Sequence, residues 1–343
     1  MEHFYISSKT GISGICKYSK DFFDLVLKER GYTFIDSREN LSNIFTKVSS
    51  RSHVHIEIGI FQKKEIEILL LMLKAKYNNV SITLHDAPLL KYPLKEFKNS
   101  LLNNASKFYD RYVAHFRNAL PYIQKIRAIY VLSHKGVDET RKLYKTDNIH
   151  FLPHIINPYE IEKKHVINKN FLYFGFIGKN KGIEYALKLH QAVTEAHPDV
   201  QFYVIGTALG KQMKYYDYLK KTYHKNVHFM GYVQEQELNQ AYKNASFALN
   251  LFKDYGFFHP TSGSVLHNLK KGKIVLTNKV NSVPEIITDR SNGIFLSGKL
   301  RADTQQMLQL YENIPLLETI QQNVYDYITR QHTPGNVASH LTI

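Results

Sequence analysis

The most constraining feature of the sequence is a double series of strand-like and helical runs. Before residue 155 the strand-like runs are HFYIS, YTFID, VHIEIG, VSITLHD, AIYVLS and IHFLPH. Helical patterns such as KKEIEILLLMLKAKY lie between them. After a polar segment the series resumes with FLYFGFIG, VQFYVIG, VHFMG, SFALNLF, KIVLT and GIFLS. Such alternation predicts α/β domains whose parallel sheets are covered by helices on both faces.

The length of the chain fits two such domains. Its 343 residues are enough for each domain to bury its own core, and 43% of them are apolar, as in a globular protein. We predict Rossmann-like domains over residues 1–155 and 171–325, joined by a linker over 156–170. Ligands of open parallel sheets bind beyond the carboxyl ends of the strands, so we expect the site in a cleft between the domains.

Cysteine content and hydropathy favour a cytoplasmic location. Cys16 is the single cysteine, so a disulfide within the chain is impossible, which fits a reducing compartment. The N-terminus MEHFYISSKTG lacks the apolar core of a signal peptide, and the run IEILLLMLKAK is too short and too charged to cross a bilayer. We expect a soluble or peripheral protein.

The formal net charge of +15 indicates an anionic partner. Neither zinc-finger spacing nor an RNA-binding aromatic signature occurs, so we predict no nucleic-acid partner. Residues 91–127 combine eight Lys or Arg residues with seven aromatic residues, a mixture that suits the headgroup zone of an anionic membrane. The alternative is a solvated basic helix face whose aromatic side chains belong to the core.

The stretch HPTSGSVLHNLKKGKIVLT predicts a helix start followed by a strand. Val265, Leu266 and Leu269 recur at helical spacing, and Gly272 ends the run. A helix start leaves backbone N–H groups unpaired, and Gly263 lets a ligand approach the backbone closely. Residues 261–264 therefore read as a phosphate cradle. Capping of a surface helix by Thr261 or Ser262 is the alternative.

Six segments carry a resemblance that covers nearly the whole chain. In order they are GISGICKYSKDFFDLVL; SITLHDAP; VLSHKGVDETRKLY with FLPHIIN; FGFIGKNKGIEYALKL; VHFMGYVQEQELNQAYKNASFALNL; and SGSVLHNLKKGKIVLT with VPEII. Together they resemble the retaining glycosyltransferases of the group 1, family 4-like type, which include bacterial lipopolysaccharide and capsule enzymes. The resemblance implies the GT-B fold, two Rossmann-like domains with an interdomain cleft, and a final segment, 326–343, that returns to the first domain.

The resemblance also implies a reaction. A hexose-type sugar would pass from a nucleotide-diphosphate sugar to a saccharide or lipid-linked acceptor at the inner face of the membrane, with retention at the anomeric carbon. No cofactor or metal is expected, because positively charged protein groups would stabilise the departing diphosphate. The alternative is a non-catalytic GT-B subunit that binds a sugar or a partner protein. Release of free nucleotide from donor sugars would distinguish the two.

The resemblance assigns the diphosphate to two regions of the second domain. The segment matching Ser262, Gly263 and Ser264 lies against the diphosphate in this family. Lys181 stands where the family keeps a lysine for the same group; an ordinary exposed lysine is the alternative. Gly178 occupies the position of a usual arginine, and the neighbouring Lys179 is a less directional substitute.

In the first domain the resemblance points to one histidine and two glycines. His85 ends an apolar strand, and the matching family histidine faces the transferred sugar. A structural histidine at a strand–loop junction is the alternative. Gly11 and Gly14 match the loop whose backbone approaches the donor phosphates or the acceptor, although both also fit a plain turn.

The remaining candidates surround the nucleotide and the sugar. His259 and His267 stand where many family members have glutamates that contact the sugar and the ribose. An imidazole keeps hydrogen bonding but lacks the carboxylate charge. The spacing of this pair matches no zinc motif. Tyr232 and Glu285 resemble positions around the base and ribose, with a core aromatic and a helix-start acid as the alternatives.

Overall fold

The computed structural model describes residues 1–10, 14–59, 62–88, 101, 121–163, 166–253 and 262–342. The chain forms two compact units. The first contains Met1–Asn157 and Gln331–Ile343, and the second contains Pro158–Asp254 and Ser262–Arg330. Each unit is built around its own parallel sheet.

The sheet of the first unit has six parallel strands in the order β2-β1-β3-β4-β5-β6. The strands are β1 (His3–Ser7), β2 (Tyr32–Asp36), β3 (His53–Ile58), β4 (Val80–Leu84), β5 (Ala128–Val131) and β6 (Ile149–Phe151). The α-helices described here are Gly14–Phe22, Leu41–Lys47, Lys63–Lys74, His134–Tyr144 and Pro334–Ser339. A π-helical turn, Phe23–Leu27, continues the first of these helices.

The two faces of this sheet differ in chemistry. One face is apolar: Val54, Ile56 and Ile58 of β3 join a buried cluster with side chains of the helices Leu41–Lys47 and Lys63–Lys74. The alternate residues of β3 lie on the other side of the strand and are His53, His55 and Glu57, all fully or almost fully buried. This polar face is a consequence of the two-residue period of a strand.

The sheet of the second unit has six parallel strands in the order β12-β11-β10-β7-β8-β9. They are β7 (Phe171–Phe174), β8 (Phe202–Ile205), β9 (Val227–Gly231), β10 (Phe247–Asn250), β11 (Ile274–Thr277) and β12 (Ile294–Phe295). The described α-helices are Ile183–Thr194, Met213–Thr222, Glu235–Lys243, Gly263–Lys270, Val283–Ile286, Leu300–Tyr311 and Ile314–Gln331.

The predicted fold class is confirmed. Eleven of the twelve strand-like runs contain an observed strand, and the run VHIEIG contains all of β3 except His53; all the strand pairs within the two sheets are parallel. Both units are therefore Rossmann-like α/β domains. Among the residues described, no helix has the length and apolar character needed to cross a membrane.

Candidate functional site

The predicted phosphate cradle is the start of a helix in the second unit. Ser262 caps the helix Gly263–Lys270, and its Oγ accepts a hydrogen bond from the backbone N–H of Val265 at 3.4 Å. The same Oγ lies 3.2 Å from the Oγ of Ser264. Ser262, Gly263 and Ser264 thus form the start of this helix, which Ser262 caps; the role of this turn as a phosphate cradle stays a prediction.

A buried hydrogen-bond chain ties this helix start to the end of strand β10. The Asn250 side-chain amide donates to the Oγ of Ser264 at 3.1 Å, and the Asn268 amide donates to the Asn250 Oδ1 at 2.5 Å. The hydroxyl of Tyr242 donates to the Oδ1 of Asn268 at 2.6 Å. Because the side-chain amides of Asn250 and Asn268 each donate one hydrogen bond and accept another, this series of hydrogen bonds fixes their orientations. It thereby fixes the position of the helix start.

Lys179 and Lys181 occupy a 3₁₀ turn that follows strand β7. The Nζ of Lys181 lies 5.6 Å from the centre of the Phe252 ring, within cation–π range. The Nζ of Lys179 lies 5.8 Å from the ring of Tyr215 instead. The two lysines therefore contact different aromatic side chains, and Lys181 contacts Phe252, which follows β10.

Gly182 fixes the distance between this turn and strand β10. Its φ is +62°, and a Cβ atom there would lie 2.5 Å from the Cβ and 2.8 Å from the carbonyl oxygen of Leu251. Phe252 is itself held by Asn278, which accepts from the Phe252 N–H at 2.9 Å and donates to its carbonyl at 2.8 Å. Three consecutive residues, 250–252, thus contact the Ser262–Ser264 turn, Gly182 and Lys181.

His267 lies one helical turn beyond Ser264 and is packed among aromatic rings. Its imidazole stacks on Phe174 at the end of β7, with ring centres 4.4 Å apart and planes inclined by 22°. The ring of Tyr242 lies 5.5 Å away. Through these contacts His267 joins the end of β7 to the helix that carries the predicted phosphate cradle.

Tyr232 and Glu285 lie on the surface of the second unit. Tyr232 directly follows β9 and is 73% exposed, so the alternative of a core role for this side chain is wrong. Glu285 is exposed in the first turn of the helix Val283–Ile286. Burial is the main cause that raises the pKa of Tyr327 above its ordinary range, and the negative charge of Glu285 is the next.

Several predicted positions fall outside the described residues. They are Gly11, His259, Thr261 and most of the basic segment 91–127. Gly14 is described: it begins the helix Gly14–Phe22, and a Cβ atom added to it would meet no described atom within 4 Å. Steric contact with the described residues therefore does not demand a glycine at position 14.

In the first unit His85 follows strand β4 and is bound to a buried carboxylate. Its Nε2 lies 2.7 Å from the Oε2 of Glu57, and its backbone N–H donates to the Ile58 carbonyl at 2.9 Å. The ring of Tyr18 packs edge-on against the imidazole, with centres 4.7 Å apart. His85 is 9% exposed, so it is a mostly buried side chain at a strand end.

Glu57 is the charged centre of this polar face. Its Oε1 accepts a hydrogen bond from the Tyr5 hydroxyl at 2.9 Å and lies 3.4 Å from the Nε2 of His55. Burial alone raises the pKa of Glu57, but the hydrogen bonds and charges of His55 and His85 outweigh it and lower the pKa to about 2. Glu57 is therefore a carboxylate at neutral pH. The pKa of Tyr5 is raised well above its usual range by burial and by this charge.

The polar chain continues across the sheet. Ser81 lies between His55 (2.8 Å to Nδ1) and His53 (2.9 Å to Nε2), and the hydroxyl of Tyr32 lies 2.7 Å from the Nδ1 of His53. Burial is the largest cause that lowers the pKa of His53 to about 3. The sequence-based prediction did not include this series of hydrogen bonds, although His53, His55 and Glu57 stand at alternate positions of HVHIEI and were the available signal.

No group of three or more His, Cys, Asp or Glu side chains within the described ranges is arranged to hold a metal ion. Beyond the ends of β7 and β10, the ammonium of Lys181 contacts the ring of Phe252, two residues after Asn250, which contacts the helix start through Ser264.

Comparison with known families finds one similarity, which lies in the second unit. Residues 168–313 match the family model described as glycosyl transferases, group 1. The match lies within the second unit and covers less than half of the chain. A search of curated proteins with this sequence found no match.

Comparison with solved structures identifies the fold of the whole chain. HepE from Anabaena in complex with UDP-glucose has a TM-score of 0.68 at 12% identity, covering 99% of this chain and 97% of HepE. Sucrose-phosphate synthase from Thermosynechococcus elongatus gives 0.72 at 12% identity, with 98% and 96% covered. TarM gives 0.65 at 13% identity over 87% of this chain, which spans 56% of TarM. The chain has the GT-B fold.

Proposed function

We propose that the protein is a glycosyltransferase that moves a hexose-type sugar from a nucleotide-diphosphate sugar to a saccharide or lipid-linked acceptor. The observation that carries the proposal is the joint contact of residues 250–252 with the Ser262–Ser264 turn and with Lys181. A helix start and a lysine are thereby held against one strand end of the unit that matches the glycosyl transferases group 1 model. The UDP-glucose bound to HepE makes UDP-sugars the first donors to test.

The chemistry of glycosyl transfer matches these parts. As the bond to the sugar breaks, negative charge grows on the departing diphosphate. The unpaired N–H groups of the helix Gly263–Lys270 and the partial positive charge of its start favour an anion there. Lys181 adds a full positive charge. We infer that these two features stabilise the leaving group in place of a metal ion.

The finer parts of the proposal rest on the sequence resemblance. They are retention at the anomeric carbon, a role in lipopolysaccharide or capsule synthesis, and donor contacts from His85, Tyr232, His267 and Glu285. Product stereochemistry, read by NMR of the glycoside formed, tests retention directly. An inverted anomeric configuration would contradict it.

The central experiment uses a panel of UDP- and GDP-sugars, with and without saccharide and lipid acceptors, and measures the free nucleotide released. We expect Lys181→Ala to lower turnover about a hundredfold, as loss of one leaving-group stabiliser typically does. Lys179→Ala is the matched control, because Lys179 lies in the same turn but contacts Tyr215. Its effect should be several times smaller.

Two outcomes would overturn the assignment. Full activity of the Lys181→Ala variant would remove Lys181 from the donor site. Binding of a donor without turnover, across all donors and acceptors, would favour a non-catalytic sugar-binding subunit. Circular dichroism of each variant separates loss of function from loss of fold.

We also propose that the acceptor is reached at an anionic membrane surface on the cytoplasmic side. The support is the charge of +15 and the basic aromatic segment 91–127. Each Lys or Arg near such a surface contributes about 1 kcal/mol, and added salt screens the attraction. The protein should sediment with anionic vesicles at low salt and not with neutral ones. Replacing Lys107, Arg111 and Arg117 by glutamate, all outside the described residues, should abolish this; sedimentation that persists would contradict the assignment.

A further inference from the structure

The contact between Glu57 and His85 fixes which nitrogen of His85 carries a proton. Glu57 is fully buried and ionised, and a carboxylate can only accept hydrogen bonds. The Nε2 of His85, 2.7 Å from Oε2, must therefore be the donor. A neutral His85 ring then carries its proton on Nε2 and an open lone pair on Nδ1.

The surroundings hold the carboxylate and the ring in this arrangement. The Tyr5 hydroxyl occupies Oε1 of Glu57, and His55 approaches the same oxygen from the neighbouring position of β3. Tyr18, from the helix Gly14–Phe22, packs edge-on against the His85 ring. A carboxylate bonded on both oxygens cannot rotate away without losing a buried hydrogen bond, which is costly.

The other nitrogen of His85 is available. Within the described part of the chain, the side chain of His85 makes one hydrogen bond, through Nε2 to Glu57. The residue is 9% exposed. The ring is therefore anchored through one nitrogen and can offer the other to a ligand at the end of strand β4. This division of roles is typical of a histidine that is oriented by a carboxylate behind it.

We propose that Glu57 is a positioning residue that holds His85 in the Nε2–H tautomer, so that Nδ1 accepts a hydrogen bond from a hydroxyl of the transferred sugar. The proposal rests on the glycosyltransferase function proposed above. It also defines a substrate class: an open lone pair accepts from a hydroxyl but repels a carboxylate. Neutral hexose donors such as UDP-glucose and UDP-galactose should be preferred to UDP-glucuronate.

The first measurement is spectroscopic and does not depend on activity. Long-range ¹H–¹⁵N NMR distinguishes protonated from unprotonated ring nitrogens, and a His85→Asn variant identifies the His85 signals by their loss. In the wild-type protein, at a pH high enough for the imidazole ring to be neutral, we expect a protonated Nε2 and an unprotonated Nδ1. In Glu57→Gln an amide NH₂ can face the imidazole and donate to Nε2, so the Nδ1–H tautomer should gain population.

Thr83→Val is the matched control. Thr83 lies on the same polar face, and its Oγ1 is 2.8 Å from the Nε2 of His55, so the variant also removes a buried hydrogen bond. It leaves the Glu57–His85 contact intact, and the His85 tautomer should not change. A merely structural role of Glu57 would give both variants the same loss of stability and the same spectrum at His85.

The second measurement is donor turnover. Glu57→Gln should lower kcat/KM for UDP-glucose about tenfold to a hundredfold, the usual range for a buried hydrogen bond to a charged group, while Thr83→Val stays near the wild-type value. The preference for UDP-glucose over UDP-glucuronate should shrink in Glu57→Gln.

A wild-type His85 protonated on Nδ1, or equal kinetics of Glu57→Gln and Thr83→Val, would overturn the positioning role. Equal use of UDP-glucuronate and UDP-glucose by the wild type would overturn the hydroxyl contact. Absence of turnover with every donor would instead contradict the proposed function, and the NMR comparison alone would then decide whether Glu57 fixes the ring.

Discussion

Replacing Gly182 by alanine tests how the lysine turn is held against strand β10. Gly182 has a left-handed backbone conformation, with φ +62° and ψ 10°. An added methyl group would lie 2.5 Å from the Cβ and 2.8 Å from the carbonyl oxygen of Leu251. Contacts this short do not occur between real side chains, so the turn that carries Lys181 must move away from β10.

The cost has two parts. The left-handed conformation costs alanine about 1 kcal/mol relative to glycine. The contact with Leu251 adds about 1–3 kcal/mol, as for other overpacked sites. Because alanine also lowers the entropy of the unfolded chain, by about 0.4–1 kcal/mol, the net loss in the free energy of unfolding should be about 1–3 kcal/mol.

Gly298→Ala provides the control. Gly298 lies in the same unit at φ +78°, but a Cβ atom there meets no described atom within 4 Å, so only the backbone cost applies. Urea unfolding should show Gly182→Ala less stable than Gly298→Ala by about 1–3 kcal/mol, the overpacking cost. Calorimetry should show weaker UDP-sugar binding in Gly182→Ala alone. Equal stability of the two variants would refute the view that the Leu251 contact holds the turn.

Three further predictions concern buried polar groups. The Nζ of Lys273 is buried with no hydrogen-bond partner in the described structure, and burial lowers its pKa from 10.5 to about 8. Between these two pKa values the unfolded chain binds more protons than the folded one, so the free energy of unfolding of the wild type should rise from pH 8 to 10.5. Urea unfolding of Lys273→Met should lack this rise and should show a free energy of unfolding about 1–3 kcal/mol higher at pH 7. Asn268→Ala leaves Tyr242 and Asn250 without their partner and should cost about 2–4 kcal/mol by the same assay. Folding lowers the pKa of Glu57 from 4.5 to about 2. The free energy of unfolding should therefore fall by about 3 kcal/mol as the pH drops from 4.5 to 2, and Glu57→Gln should lack this fall. A similar acid dependence in both proteins would contradict the prediction.

The strands were predictable because strands of parallel sheets are buried on both faces and read as short apolar runs between polar or glycine-containing segments. Their ends were less predictable. The run FLYFGFIG suggests eight residues, whereas β7 ends at Phe174, directly before Gly175, whose φ of 138° departs from the extended conformation of a strand. Local backbone conformation, not apolar character, sets that boundary.

The Ser262 turn and Lys181 were predictable from the sequence as separate pieces. Their common attachment was not, because Asn250, Leu251 and Phe252 carry no signal that they contact a helix start 14 residues later and a turn some 70 residues earlier in the chain. The Glu57 network was hidden for the same reason. Its partners Tyr5 and His85 are 52 and 28 residues away, and only the sheet order β1-β3-β4 brings them together.

His267 differs from the residue that the resemblance implies, and its surroundings in the second unit give a physical reason. The resemblance implies a glutamate there, yet the side chain lies between the rings of Phe174 and Tyr242. A carboxylate in this position would lose hydration and face the negative surfaces of aromatic rings, which is unfavourable. An imidazole stacks on Phe174 and still carries two nitrogens that can hydrogen-bond. The aromatic surroundings therefore favour histidine over glutamate at position 267.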